Sequence, residues 1–274
     1  MRAITHRLPA HEPRPVRRRG RHAVAAFLAA GLLVGSVVGS VAMSAAPASA
    51  APPTHVADCT GSASPGRRWV SLLFIRALFR CDSGADSEFG IRHFDPDSVR
   101  NTYSRAVFRS AEGSRKWAAQ GFLLFLQRNP DPAGSTFWTS RLHSGTRYDA
   151  FESGLIGSSE YFNRAGATNA NFVDAVYQDL LDRSPHTSEN NYWIGRLNAG
   201  TNRGGVALAI DRSPERRRLI ADIWGYGYVL HRAPSLADLN YWAAQQATGV
   251  DQLDLSAAFT ASHEAIADAN TPGF

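Results

Sequence analysis

Apolar residues recur along this chain at intervals that place them on one face of a helix. The clearest stripe follows the spacing i, i+3, i+4, i+7 and i+8, at Val173, Val176, Tyr177, Leu180 and Leu181. Such a stripe is typical of a helix that buries one face. The last turns of the same stripe occur again ahead of positions 80 and 128. The pattern therefore predicts an all-α fold.

The stripe belongs to a longer motif that repeats along the chain. Three arginines are each followed, nine and ten residues later, by an aromatic pair, then by a glycine and finally by a glutamate. The arginines are Arg128, Arg183 and Arg232, the pairs are Phe137-Trp138, Tyr192-Trp193 and Tyr241-Trp242, the glycines are Gly145, Gly200 and Gly249, and the glutamates are Glu160, Glu215 and Glu264. A degenerate copy starts at Arg80, with Phe89-Gly90 in place of the pair. We call each copy a unit and number the units one to four from Arg80.

Each unit divides into three predicted helices. The first ends after the arginine at a proline-containing break such as residues 129–132, because proline forces its neighbour out of the helical region. The second carries the aromatic pair and ends at the glycine. A threonine, Thr146 or Thr201, caps the third helix. Ser213-Pro214-Glu215 has the sequence of a cap that opens the first helix of the next unit, which fuses the units.

A three-helix unit of this size cannot bury its own apolar faces, whereas stacked units supply neighbours for each other. We therefore expect four tandem three-helix repeats of about 50 residues, stacked or bundled. They fill a domain from residue 67 to residue 267, followed by a tail at 268–274. The sequence leaves open whether the units curve as a solenoid or close into a bundle.

The N-terminal 50 residues have the pattern of a signal peptide. An arginine-rich stretch ends at His22, an uncharged segment runs from Ala23 to Val41, and Ala48-Ser49-Ala50 supplies the small residues of a cleavage site. We expect cleavage after Ala50, a leader at 51–66 and a secreted, extracellular protein. The alternative is an uncleaved anchor, since about 19 apolar residues can just span a bilayer. Only in that case would the protein contact a membrane.

The net charge of +5 comes from this N-terminal segment. Seven arginines and one acid lie in residues 1–50, which leaves 22 basic and 23 acidic side chains in residues 51–274. Nucleic-acid binders need a basic surface, so this class of function is excluded. Cys59 and Cys81 are the chain's two cysteines. In an oxidising compartment such a pair predicts a structural disulfide rather than a metal site or a catalytic thiol.

The repeated motif resembles that of the DUF4214 family of extracellular bacterial proteins. The resemblance is carried by Phe172, Val173, Tyr177, Leu180, Leu181, Arg183, Ser184, Pro185, Tyr192, Trp193, Leu197, Gly200, Ser213, Pro214 and Glu215. It covers residues 117–264 well and residues 69–116 weakly. The family implies a helical, secreted protein, sometimes attached to larger cell-surface or carbohydrate-active proteins, with no established activity. The spacing is also loosely similar to that of helical phycobilisome linker domains, which implies a scaffold by analogy of fold.

The repeated residues are the candidate sites. Each arginine follows the end of a first helix, where a cation is favoured, and either clamps a ligand anion or pairs with the unit's glutamate. Repetition of the arginine even in the degenerate unit favours the structural pairing. Trp138, Trp193 and Trp242 are candidate sugar-stacking platforms, with core packing as the alternative, because two adjacent rings lie about 100° apart on a helix.

Catalytic motifs are missing from the sequence. No His-x-x-x-His spacing, no Gly-x-Ser-x-Gly turn and no phosphate-binding glycine loop occurs. We therefore expect no enzymatic activity, no cofactor and no metal. The favoured hypothesis is a non-catalytic binding module for a cell-envelope polysaccharide or an extracellular protein. The alternatives are a cell-wall or polysaccharide hydrolase with an acid pair in a groove between units, and an extracellular scaffold or linker protein.

Overall fold

A computed structural model of the chain describes Cys59, residues 64–93 and residues 97–269. The predicted signal peptide, its cleavage site, most of the leader and the tail from residue 270 lie outside the described residues. Fourteen α-helices and no strand occur in the described part, so the all-α prediction is confirmed.

The helices follow one another with short connections. They are α1 (Pro65–Leu78), α2 (Gly84–Ile91), α3 (Asp97–Phe108), α4 (Ala111–Gly121), α5 (Pro132–His143), α6 (Tyr148–Ile156), α7 (Ser159–Arg164), α8 (Asn169–Leu181), α9 (Thr187–Asn198), α10 (Arg203–Asp211), α11 (Pro214–Ile220), α12 (Leu236–Ala247), α13 (Gln252–Thr260) and α14 (His263–Ala269). Helices α4 and α11 continue directly into π-helical segments at Phe122–Leu126 and Ala221–Gly227.

The first helix of each unit stops at a left-handed residue rather than at the proline that follows. The residue directly before each repeated arginine has a φ between 50° and 54°, and none of the four is glycine. They are Phe79, Gln127, Asp182 and His231. A left-handed conformation costs a non-glycine residue about 1–2 kcal/mol. The four equal turns therefore show that the surrounding contacts impose this corner on the chain.

The predicted fusion of consecutive units holds in two places and fails in a third. Helices α4 and α11 run into the π-helical segments without interruption. After α7, however, Gly166 and Ala167 adopt positive φ values of 101° and 56°. A new helix, α8, then begins after Thr168, whose side chain accepts a hydrogen bond from the backbone N–H of Asn171 at 3.2 Å. This break accounts for the longer step of 55 residues between Arg128 and Arg183.

The caps of the third helices also differ from the prediction. Thr146 and Thr201 each lie one residue before the cap. In unit two the cap is Arg147, which makes no side-chain capping bond. In unit three it is Asn202, whose Oδ1 accepts from the backbone N–H of Gly205 at 2.7 Å. The cap must present an oxygen three residues before its donor, and the threonines lie one residue too early. By contrast, Ser213 caps α11 as predicted.

The described helices close on themselves. Helix α14 packs against α1, α13 packs against α3, and α6 packs against α10. Two hydrogen bonds fasten the two ends, from Trp69 Nε1 to the Thr260 carbonyl at 3.1 Å and from Arg100 Nε to the Ala261 carbonyl at 3.0 Å. The core combines aliphatic side chains with aromatic rings, including the fully buried Trp69 and Trp117. Since the last helices contact the first, this is a closed bundle rather than an open solenoid.

A disulfide between Cys59 and Cys81 is present, as predicted, with the two Cα atoms 5.2 Å apart. It ties Cys59, ahead of α1, to the residue that follows Arg80. The two cysteines are 22 positions apart in sequence. Closing a loop of this length stabilises the fold by roughly 3 kcal/mol in the chain-entropy model. Among the described helices, none combines the length and the apolar composition needed to cross a membrane.

Candidate functional site

The repeated arginine forms a bidentate pair with its glutamate in all four units. Arg183 donates from Nε and Nη2 to the two carboxylate oxygens of Glu215, at 2.7 and 2.8 Å, and both Nη groups donate to Glu189 at 2.8 Å. Its guanidinium also lies over the Tyr177 ring, 5.0 Å from the centroid. Bidentate pairs of the same kind join Arg80 to Glu112, Arg128 to Glu160, and Arg232 to Glu264.

These contacts occupy the edges of the guanidinium that an anionic ligand would need. The remaining Nη1 donor of Arg183 also reaches the carbonyl of Ser184 at 3.2 Å. Hydrogen bonds from Arg183 lower the pKa of Glu189 to about 2, so this partner stays ionised. The pair joins the end of one unit's first helix to the start of the helix that opens the next unit, and we call it the arginine corner.

The three repeated tryptophans lie half-buried against the core. The Trp138 ring centroid is 5.0 Å from that of Phe151, and the Trp242 centroid is 4.7 Å from that of Phe259. In unit three, Trp193 Nε1 donates to the Tyr177 hydroxyl at 2.9 Å. The tryptophans therefore fix the second helix to the first or third helix of their own unit.

The aromatic ring that faces solvent is the residue before the tryptophan. Between 51% and 59% of the surface of this residue is exposed in every unit, and the four residues are Phe89, Phe137, Tyr192 and Tyr241. We call them the exposed rings. In units two to four each one stacks edge-on against its tryptophan, with centroids 4.8–5.4 Å apart. The sequence identified the aromatic pair, but it did not show which of the two rings points outward.

A second candidate site is a polar cavity of about 320 Å³ where units two, three and four meet. Its wall is formed by the start of α6, the junction of α10 and α11, and the connection between α12 and α13. The lining includes Arg147, Asp149, Glu152, Asp211, Arg212, Arg217, Ile220, Gln246, Val250, Asp251 and Gln252. No local sequence pattern indicated this cavity, because its wall comes from segments about 60 and 100 residues apart.

A buried trio of charged residues adjoins the polar cavity, since Glu152 and Asp211 line it and Arg216 contacts both. Glu152, Asp211 and Arg216 are only 3%, 2% and 5% exposed. Arg216 donates to Glu152 at 3.3 Å, to Asp211 at 3.2 Å and to the Leu180 carbonyl at 3.1 Å. Burial, and next the charge of Asp211, raise the pKa of Glu152 well above its usual range. Burial also raises the pKa of Asp211.

The other two acids of the wall are held by arginines. Asp149 accepts from Arg147 and Arg212, both at 2.9 Å, and these bonds lower its pKa despite the opposing effect of burial. Asp251 pairs with Arg109 at 2.8 Å and accepts from the backbone N–H of Tyr148 at 2.9 Å. Both carboxylates are thus oriented by protein donors.

A buried amide group of the wall has no partner among the residues that the structure describes. Gln252 is 3% exposed, and neither its amide oxygen nor its amide nitrogen makes a hydrogen bond to any described residue. Its neighbour on the same wall, Gln246, differs, since its Nε2 donates to the Arg217 carbonyl at 2.7 Å. An unsatisfied buried amide group costs about 1–3 kcal/mol, so the fold does not gain from Gln252.

A larger concave surface of about 480 Å³ lies between α6 and α10. It is open and lined mostly by small or uncharged residues, among them Gly154, Gly157, Asn202 and Gly204. The glycines allow the two helices to approach, since a Cβ on Gly157 would lie 2.7 Å from the Gly204 backbone. This surface is explained by helix packing. Within the described residues, no group of three or more His, Cys, Asp or Glu side chains has the arrangement of a metal site.

Residues 152–220 match the model of a family described as "Domain of unknown function (DUF4214)". The segment runs from within α6 to the end of α11 and contains the Arg183–Glu215 corner and the Tyr192-Trp193 pair. The resemblance noted in the sequence is therefore confirmed over these residues. No curated protein and no solved structure is similar enough to this chain to count as a match.

Proposed function

We propose that this protein is a secreted, non-catalytic module that binds a polysaccharide of the cell envelope through its exposed rings. The observation that carries the proposal is the outward ring in every unit. In unit one the tryptophan is replaced by Gly90, yet Phe89 is still 54% exposed. Contact with neighbouring rings leaves more than half of each of these side chains exposed, so packing alone does not explain their recurrence.

The surroundings of the rings favour a sugar over a protein. Each ring lies on a different helix, beside exposed polar or small residues such as Ser140, Asn191 and Asn240. A stable protein interface needs a contiguous patch with an apolar core. Isolated rings with polar neighbours suit sugars instead, because the C–H face of a sugar stacks on one ring while its hydroxyls bond to the neighbours.

The alternative of a hydrolase is supported less well by the acids of the polar cavity. The carboxyl groups of Glu152 and Asp211 have raised pKa values, which is one mark of a catalytic pair. Both, however, accept hydrogen bonds from the same guanidinium, that of Arg216. Glycosidases hold their two carboxyl groups about 5 Å or more apart so that the sugar lies between them. Here the Arg216 guanidinium, rather than an open cleft, lies against the two carboxylates.

The disulfide and the predicted signal peptide support an extracellular location. The closed bundle supports a compact binding unit more than an extended linker, so the scaffold hypothesis is second to polysaccharide binding. No observation in the described residues favours self-association.

Depletion from solution by insoluble polysaccharides tests the proposal. The purified protein is mixed with peptidoglycan, chitin, cellulose and insoluble β-glucan, and the unbound fraction is measured. Removing one stacked ring costs about 1 kcal/mol, or roughly fivefold in affinity. The fourfold variant Phe89→Ala, Phe137→Ala, Tyr192→Ala and Tyr241→Ala is expected to lose at least tenfold, because linked contacts act through avidity.

The matched control removes exposed aliphatic side chains of similar accessibility. Ile91→Ala with Leu236→Ala changes residues that are 41% and 68% exposed and is expected to keep full adsorption. Circular dichroism verifies that both variants stay helical. Failure of the wild type to adsorb to all four materials, or a loss below tenfold in the fourfold variant, would refute the role of the exposed rings.

A further inference from the structure

The buried trio breaks the pattern that the units otherwise share. We compare equivalent positions, counted from each unit's arginine. At the position of Glu152 the other units have the small residues Ser104, Ala207 and Ser256, all fully buried. At the position of Asp211 they have Phe108, Ile156 and Thr260. At the position of Arg216 they have Gly113, Tyr161 and Ala265. The fold therefore accepts uncharged residues at each of these positions. A charged cluster that the fold does not require is expected at a functional site.

The wall of the polar cavity is balanced in charge. Its lining contains Arg147, Arg212 and Arg217 with four acids, Asp149, Glu152, Asp211 and Asp251, and Arg216, which contacts Glu152 and Asp211, supplies the fourth positive charge. An anion or a cation bound there would lack a compensating charge. A ligand that matches this wall is neutral and has both donors and acceptors.

The size of the cavity and the unpartnered amide of Gln252 narrow the ligand further. A volume of about 320 Å³ is at the lower end of small-molecule sites and equals about ten water molecules at roughly 30 Å³ each. A planar amide offers one donor and one acceptor side by side, which matches two neighbouring hydroxyl groups. Ile220 and Val250 supply the apolar part of the wall.

We infer that the polar cavity binds one neutral sugar residue, either a free monosaccharide or the end of a glycan chain. Gln252 bonds two adjacent hydroxyls, Asp149 accepts from a third, and Arg217 donates to the ring or hydroxyl oxygens. This site adds an end-binding subsite to the proposed polysaccharide module, but it rests on its own residues and does not require the exposed rings.

Isothermal titration of the purified full chain tests the inference. The probes are glucose, galactose, mannose, N-acetylglucosamine and myo-inositol, with glucuronate as the anionic comparison, each up to about 50 mM. Saturable binding of at least one neutral probe is expected, with glucuronate bound at least tenfold more weakly. A disaccharide of the bound sugar distinguishes the two sources, since tighter binding of the disaccharide indicates a chain end and equal or weaker binding indicates a free monosaccharide.

The decisive variant is Gln252→Leu, which keeps the shape of the side chain and removes its amide. We expect sugar affinity to fall at least tenfold, while the unliganded protein becomes equally or more stable because the unsatisfied amide is gone. A purely structural Gln252 would instead destabilise the protein when replaced. Gln245→Leu, on the same α12–α13 side of the molecule but outside the cavity lining, is the matched control and keeps binding.

Two results would overturn the inference. One is the lack of saturable binding of any neutral probe to the wild type. The other is a neutral sugar that binds Gln252→Leu within threefold of the wild-type affinity. The variant without the exposed rings is titrated in parallel and is expected to bind the monosaccharide normally, so failure of the polysaccharide proposal and failure of this inference give different results.

Discussion

Replacing Arg216 alone is expected to destabilise the protein far more than replacing the entire buried trio. In the variant Arg216→Met, Glu152 and Asp211 lose the cation that both contact, and they are 3% and 2% exposed. Breaking a buried ion pair by removing one partner costs about 3–5 kcal/mol, because a charge stays buried without compensation. We expect a loss of this size at neutral pH.

The triple variant Glu152→Leu, Asp211→Val and Arg216→Met removes all three charged groups together. Replacing a buried ionic cluster by apolar residues of similar volume is often neutral or stabilising, by up to about 4 kcal/mol. The chain itself contains the precedent, since unit two has Ile156 where unit three has Asp211. The triple variant is therefore expected to be at least as stable as the wild type.

Urea unfolding followed by circular dichroism at 222 nm measures both effects from the shift in midpoint at constant slope. Arg196→Met, at an exposed position on α9, is the control and is expected to stay within about 0.5 kcal/mol of the wild type. The reasoning is refuted if the triple variant loses as much stability as Arg216→Met, or if Arg216→Met loses less than about 1 kcal/mol.

Two further changes test the left-handed residues and the raised pKa values. Gln127 has a left-handed φ of 54°, so Gln127→Gly removes strain and is expected to raise the stability in urea unfolding by about 0.5–1 kcal/mol. The control Gln178→Gly, within α8, is expected to lower it by about 1 kcal/mol, and equal losses in both variants would contradict the strain at Gln127. Because the native pKa of Glu152 is raised, the folded state keeps the Glu152 proton above pH 4.5 where the unfolded chain loses it, so the contribution of Glu152 to stability falls as the pH rises. The stability of Glu152→Gln relative to the wild type is therefore expected to increase from pH 5 to pH 8, by at most about 1.4 kcal/mol per pH unit, and a difference that stays constant over that range would show that Glu152 is ionised in the fold.

The helical fold could be predicted from the sequence because the apolar periodicity and the helix caps are local signals. The stripe that ends at Leu181 and the serine cap at Ser213 both depend on residues within two turns of each other. The left-handed stops carried no such signal, since Gln127 and Asp182 stand where glycine is the usual residue. These stops are imposed by the arginine corner, whose glutamate lies 32 residues further on.

The polar cavity was beyond sequence reasoning for a related cause. Its acids are contributed by α6, by the end of α10 and by the connection ahead of α13, so their proximity depends on closure of the bundle. The sequence contained one usable sign, which was the charged residue at a position where the other units are uncharged. A position-by-position comparison of the units would have singled out Glu152 and Asp211, although not that they meet at Arg216.

Repetition and departure from repetition thus carry different information in this molecule. The arginine corner occurs four times with the same geometry, and its contacts explain it completely as a requirement of the fold. The exposed rings also occur four times, but more than half of each is exposed, and we propose that they contact an outside partner. The buried trio occurs once, at positions where uncharged residues suffice for folding, and its charges are expensive to bury. The features that the fold does not require, rather than the most regular ones, are therefore where binding should be sought first.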